Sequence, residues 1–218
     1  MISILMPIYN GIEFIEESVS SILNQSYDNW ELIIGINGHP KDSDVYLVAK
    51  KYELSNNKIR VFDFYNIKGK SNTLNEMLPL CKYNYIALLD VDDVWFDNKL
   101  EIQSLFLGIY DVIGSKCVYI GDCAGGIPYI PVEDISDFDF SLLNPIINSS
   151  SIIKKDLCYW TSIWLEDYDM WLRLRNQNKS FYNCDNILVQ HRIHSDSAFN
   201  SKGNINHVPG LLISHGYR

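Results

Sequence analysis

The chain has 218 residues, 47% of them hydrophobic and 21% charged, which suits a soluble enzyme with room for one large core. A net charge of −9 with no cluster of Lys or Arg argues against a nucleic-acid partner. Five cysteines (81, 117, 123, 158, 184), odd in number and without a CxxC pair, point to reduced thiols in a cytoplasmic protein rather than a disulfide framework. The apolar opening MISILMPIYN is too short for a signal or a membrane span, and no apolar run of 18 residues follows.

The first hundred residues alternate between two periodicities. ISILMPI (2–8) reads as a buried strand, followed by a helical stripe of Ile12, Ile15, Val19, Ile22 and Leu23. WELIIGI (30–36) is a second strand, punctuated by Asn37-Gly38-His39-Pro40, and Asp42 or Ser43 caps a helix running through Tyr52. KIRVFDF (58–64) is a third strand, residues 69–80 a helix, and YIALLD (85–90) a fourth strand. Such alternation implies parallel strands joined by right-handed crossovers, with ligands beyond the carboxyl ends of the strands. Tyr9, Asn10, Asn37, Asn66, Asp90 and Asp92 all fall at those ends.

After residue 110 the pattern loosens. DVIGSKCVYIGD and GGIPYIPV read as strands, 133–148 as irregular chain, and SSSIIKKD (149–156) as a strand leading into a short helix. LEDYDMWLRLRNQ (165–177) is a helix, SFYNCDNILVQHRIH closes the ordered core, and 201–218 reads as a tail or linker. One domain is expected, changing character at about residue 110.

The chemistry concentrates in Asp90-Val91-Asp92-Asp93. Like charges this close resist burial unless a cation joins them. On an extended strand end, Asp90 and Asp92 share a face, which suits a hard divalent cation such as Mg²⁺ or Mn²⁺. Asp93 is read as the cap of a following helix. Gly69-Lys70-Ser71 echoes a phosphate loop, but Phe64 stands where its first glycine is needed. The acidic run also fits the nucleophile motif of haloacid-dehalogenase-like phosphatases. That motif usually closes the first strand of the core, whereas here three strand–helix units precede it.

Taken in order, SILMPIYN with QSYDNWELIIGING, YIALLDVDDVW, NPIINSSSIIKKD, LEDYDMWLRL and HRIHSDSAFNS resemble the family 2 glycosyltransferases of the GT-A fold across nearly the whole chain. The resemblance implies an α/β fold: a single GT-A domain with a mostly parallel central sheet flanked by helices, Rossmann-like in its N-terminal half. It implies a 1–110 nucleotide-binding half and a 111–200 acceptor-binding and catalytic half of that domain, with a smaller mixed or antiparallel part on the acceptor side. It also implies an inverting hexosyltransferase that moves a sugar from a UDP- or dTDP-linked donor to a hydroxyl acceptor such as a glycan, with Mn²⁺ or Mg²⁺. A non-catalytic nucleotide-sugar-binding domain is the alternative outside enzymes.

The same resemblance distributes roles. Pro7, Tyr9, Asn10, Asn37, Lys70, Asp90, Val91 and Asp92 form the nucleotide-sugar side, with Tyr9 stacking on the base. Asp92, with Asp90 and His194, forms the metal set. Asp167 is the base, with Glu166 orienting the acceptor, and Trp171 and Arg192 stand on the acceptor side. Two positions depart from the family pattern. Asn37 replaces an acidic residue that accepts the uracil N3–H, and Leu74 replaces an Arg whose charge Lys70 takes over.

Overall fold

The computed structural model describes residues 1–194 and 204–217. Its organising strand is β1 (Ile2–Ile8), buried along almost its whole length because both faces are covered. Alternation along the strand divides the core in two. Ile4 and Met6 join Val19 and Ile22 of helix α1 (Ile15–Leu23) and Ala49 of α2 (Asp44–Ser55). Leu5 joins Leu74 and Met77 of α3 (Lys70–Met77) on the other face.

Strands β2 (Trp30–Asn37) and β4 (Tyr85–Leu88) run parallel to β1 on either side, and β3 (Ile59–Phe64) extends the sheet beyond β2. Ser43 Oγ accepts from the amide of Tyr46 and caps α2, so the alternative cap Asp42 is not used. Pro79 sits in a 3-10 turn, Leu78–Leu80, which shortens the expected third helix. At Gly35 a Cβ would stand 2.6 Å from Met77 Sδ and 3.0 Å from the Phe64 ring. Glycine there lets α3 lie close against the sheet and fixes where its first residue, Lys70, emerges.

The second half completes the same sheet. β5 (Val94–Trp95) leads into α4 (Lys99–Ser104), and β6 (Val112–Gly121), β7 (Glu133–Asp134), β8 (Ile152–Lys154) and β9 (Phe181–Ile193) follow. The order is β3-β2-β1-β4-β8-β6-β9-β5, with β7 also on β9. β8 is antiparallel to β4 and β6, whereas β6 and β9 run parallel. One sheet therefore crosses residue 110 without a break.

Two expectations are corrected. GGIPYIPV forms no strand; the chain folds back on β6 through Tyr119 N to Gly126 O at 2.7 Å and continues irregularly, as its glycines and prolines favour. The stretch read as a tail carries α6 (Asn204–Ser214). Leu211 of that helix is 7% exposed and shares the second core with α5 (Glu166–Asn176), the helix expected at 165–177. A short amphipathic pattern around Gly210 and Pro209 reads as loop locally, but burial against α5 sustains a helix. No helix among the described residues is long and apolar enough to cross a membrane.

Candidate active site

Beyond Leu88 the strand stops and the chain turns: Asp93 N donates to Asp90 O at 3.0 Å. The expectation that Asp90 and Asp92 share one face of an extended strand is thereby corrected. The turn aims three mutually repelling carboxylates in different directions, and each meets its own partner.

Asp90 faces α3 and the segment before β8. Lys70 Nζ donates to its Oδ1 at 2.6 Å, Asn148 Nδ2 to its Oδ2 at 3.0 Å, and its own amide donates to Ser149 Oγ at 3.1 Å. Burial alone would raise this carboxyl, but the Lys70 charge and the two donors hold it below the ordinary value. Asp92 meets His194 instead, with Nε2 3.1 Å from Oδ2. Burial and then the charges of Asp93 and Asp90 push Asp92 upward, against the opposing His194.

Asp93 caps no helix, since β5 follows it directly. It is 1% exposed and accepts from the Arg192 amide at 2.8 Å, with His191 Nδ1 at 3.0 Å. That anchor draws the end of β9 onto the acidic turn. Arg192, expected on the acceptor side, is corrected too. Its Nε donates to Asp92 O at 2.8 Å, its guanidinium lies 4.6 Å over the Phe14 ring, and its other end pairs with Glu17. It braces the turn from the α1 side.

Glu166 and Asp167 open α5, where free N–H groups and the helix dipole favour carboxylates. Lys70 Nζ lies 3.6 Å from Glu166 Oε1 while bound to Asp90, so one ammonium joins the acidic turn to the start of α5. Burial opposes the Lys70 charge, but Asp90 and Glu166 outweigh it and hold the ammonium well above its usual range. Asp167 Oδ2 accepts from Asn144 Nδ2 at 3.1 Å. Burial, then repulsion from Glu166, raises the Asp167 carboxyl to about 6, with Lys70 opposing. Trp171, one turn on, is corrected: it is fully buried in the core cluster and offers no surface to an acceptor.

The residues expected around the base line the ends of β1 and β2. Tyr9 is 57% exposed, and its ring leans on His39 with centroids 5.4 Å apart. Gly38 has φ +74, and a Cβ there would stand 2.7 Å from the Tyr9 ring, so only glycine allows this approach. Asn37 is 2% exposed at the end of β2, and Asn10 is exposed. Pro7 is a strand residue opposite Gly35, and the Val91 side chain belongs to the core, leaving only its backbone to face a ligand.

Sequence reading missed Asn144, Asn148 and Ser149, which lie in and just after the stretch taken as irregular. Their signal was a run of small amide and hydroxyl side chains where a loop needs none of them. Residues 195–200 of the closing HRIHSDSAFNS segment, with Ser201, lie outside the described residues.

The acidic turn offers few groups to a metal ion. Among the described residues no group of three or more His, Cys, Asp or Glu is placed to hold an ion. Asp92 and His194 nevertheless form a carboxylate–imidazole pair, each side chain about a quarter exposed. Nearby carboxylates leave Asp92 short of positive charge. Mg²⁺ or Mn²⁺ carried on substrate phosphates needs only one or two protein groups, so this pair fits such an ion. Asp90 is engaged by Lys70 and Asn148 instead. A concavity of about 730 Å³, lined by Leu78, Pro79, Tyr85, Lys154 and neighbours, opens at the other end of β4, away from every group above.

Comparison with known proteins supplies the remaining observations. Residues 3–153 match the Glycosyl transferase family 2 model. The chain is 30% identical over 226 residues to an Escherichia coli UDP-Glc:alpha-D-GlcNAc-diphosphoundecaprenol beta-1,3-glucosyltransferase, WfgD, covering 93% of the chain and 81% of that protein. It is 29% identical to the E. coli O-antigen biosynthesis glycosyltransferase WbnJ, covering 90% and 81%. Among solved structures, S. aureus TarS 1-349 in complex with UDP-GlcNAc superposes with a TM-score of 0.75 at 17% identity. Mannosyltransferase PcManGT from Pyrobaculum calidifontis, in complex with GDP-Man and Mn²⁺, gives 0.74 at 12%. Both cover 98% of this chain, which spans 66% and 64% of those longer chains. The fold is that of the GT-A glycosyltransferases.

Proposed function

The chain belongs to glycosyl transferase family 2, and on that premise we propose that it transfers a sugar, with inversion, from a UDP- or dTDP-linked donor to a hydroxyl of a diphospholipid-linked glycan. The observation that carries this reading is the Asp90–Lys70–Glu166 bridge, which ties the donor-side acidic turn to a half-buried Asp167 whose carboxyl is raised to about 6. A base near that value is largely ionised at neutral pH yet basic enough to take a hydroxyl proton.

Asp167 takes the acceptor proton as the oxygen attacks the anomeric carbon and the bond to the diphosphate breaks. Glu166, held by Lys70, orients the acceptor, and Asn144 holds Asp167 by its second oxygen. Tyr9 offers its exposed ring to the base, and Asn37 offers a carbonyl to the N3–H of uracil or thymine. A divalent ion on Asp92 and His194 would act as a Lewis acid that neutralises the leaving diphosphate. The lipid-linked acceptor is proposed because the relative WfgD is named for one. We place the reaction in the cytoplasm, in keeping with five free cysteines. The phosphatase alternative finds no support: the acidic turn closes the fourth strand, and the matching family is a transferase.

The test is a donor screen of UDP-, dTDP- and GDP-sugars with Mn²⁺ and a short-chain GlcNAc-diphosphate lipid, with the product's anomeric configuration read by NMR. Transfer from a UDP- or dTDP-sugar with inversion is expected. Retained configuration, or preference for a GDP-sugar, would overturn the mechanism or the base reading respectively. Donor binding without transfer to any acceptor would favour a non-catalytic binding domain.

A further inference from the structure

The route from the donor side to Glu166 and Asp167 does not run only through Lys70. Asn75 lies on the same helix, α3, and its carboxamide grips a backbone segment just before α5. Asn75 Nδ2 donates to Trp160 O at 2.7 Å, and Trp160 N donates to Asn75 Oδ1 at 3.0 Å. This satisfies both polar groups of one residue, as a neighbouring strand would. Two residues on, Ser162 Oγ donates to Asn72 Oδ1 at 2.7 Å, again to α3. From the opposite side Thr161 Oγ1 donates to Asp169 Oδ2 at 2.6 Å, and Asp169 Oδ1 is met by His215 Nε2 at 2.8 Å. Residues 160–162 are thus clamped between α3 and α5.

What the clamp controls is the direction of the next turn. Leu165 takes φ 64, ψ 44, a left-handed conformation that a branched side chain rarely adopts, and it gives α5 no side-chain cap. Such a residue persists only where its surroundings over-determine it. Glu166 and Asp167 follow immediately, so the angle of this turn decides where their carboxylates point.

We propose that Asn75 is a positioning residue for the transfer reaction. By clasping the Trp160 peptide it fixes the start of α5 relative to α3, so that Asp167 is held at a set distance from the donor bound beside Lys70 and Asp90. The proposal rests on the assignment of Asp167 as base given above. Asn75 touches neither donor nor acceptor in this role. It acts through the backbone of residues 160–165.

The test uses the full chain and two variants, Asn75→Ala and the milder Ser162→Ala at an exposed position. Hydrogen exchange of amides 160–167 is measured first, since it needs no substrate. Asn75→Ala should accelerate it at least tenfold, and Ser162→Ala by a smaller factor, with the amides of β1 and β2 unchanged. Kinetics with a UDP-sugar, Mn²⁺ and the short-chain GlcNAc-diphosphate lipid should then show kcat lowered 10- to 100-fold by Asn75→Ala. The donor KM should stay within about threefold of wild type. Asn75→Asp, which keeps the acceptor for the Trp160 amide, should recover part of the loss. Unchanged exchange in both variants would overturn the clasp. Faster exchange with unchanged kcat, or with donor KM and kcat worsened together, would overturn its positioning role. If Asn75→Ala does not fold, Ser162→Ala decides by the same two readouts. A wild-type chain that transfers no sugar would overturn the assignment of Asp167, and with it the positioning role, while the exchange rates still decide the clasp.

Discussion

In its proposed role as base, Asp167 meets two demands that oppose each other. Catalysis favours a raised carboxyl, while stability does not: between its unfolded value near 3.8 and its folded value of about 6, the folded chain holds the extra proton. Stability contributed by this group therefore falls as pH rises from about 4 to about 6 and stays lower above that. Asp167→Asn should raise the melting temperature at pH 7, by a gain on the order of 1–3 kcal/mol reduced by solvent screening, and lose the advantage below pH 4. The same variant should cut transfer by roughly 10²–10⁴ while donor affinity stays within a few-fold. Near-normal transfer would remove Asp167 from its proposed role.

Lys70 bears on the same profile. Its ammonium opposes the rise of Asp167 and pairs with Asp90 and Glu166. Lys70→Met should move the acidic limb of the pH–rate profile upward, because the base then faces Glu166 without a balancing charge. An unmoved limb would show that the bridge does not influence the base.

At the scale of elements, α4 and α6 each carry something their local sequence did not announce. Lys99 of α4 is fully buried, donates to Gln103 Oε1 at 2.6 Å and lies 4.0 Å from the Trp95 ring centre. Burial pushes its ammonium down to about 7. The unfolded chain keeps that proton up to about 10.5, so this group costs most stability at pH 7 and below, and the cost fades as pH climbs toward 10.5. Lys99→Met should stabilise by about 1–2 kcal/mol at neutral pH, allowing for the lost partner of Gln103, with the gain shrinking near pH 10. Denaturant midpoints at the two pH values decide it.

For α6, Leu211→Ala should cost about 1–3 kcal/mol, at the low end of core truncations for a peripheral site. A tail would show no change in midpoint. The contacts of Leu211 with the second core, and of His215 with Asp169, are the reason to expect one. The sequence reading placed β1 to β4 and α5 within a residue or two, because an all-apolar run and a 3.6-residue stripe are local signals. It failed at 125–132, read as a strand although its Gly and Pro leave the chain irregular, and at 204–214, read as a tail although packing of Leu211 sustains a helix.

The whole molecule converges on one turn. The partners of Asp90, Asp92 and Asp93 come from α3, from the segment before β8 and from the end of β9, the last about a hundred residues downstream. If the Asp92–His194 pair holds a divalent ion with the diphosphate, UDP should bind much more weakly in EDTA than in Mn²⁺ by calorimetry. Asp92→Ala should erase that difference without lowering stability, since Asp92 sits on a charged rim outside the core. Equal affinity with and without metal would sink the metal assignment.

Local pattern alone determined the alternation of strands and helices, the placement of the acidic run at a strand end and the family resemblance, because each is written in residues adjacent along the chain. Only the tertiary structure decided that Asp90 faces Lys70 while Asp92 faces His194. It also decided that Arg192 braces the turn from behind, that Trp171 fills the core and that Asn75 grips the backbone before α5. These are choices among partners distant along the chain. They are settled by how like charges separate and how buried polar groups find donors once the sheet has closed, and no run of neighbouring residues encodes that geometry.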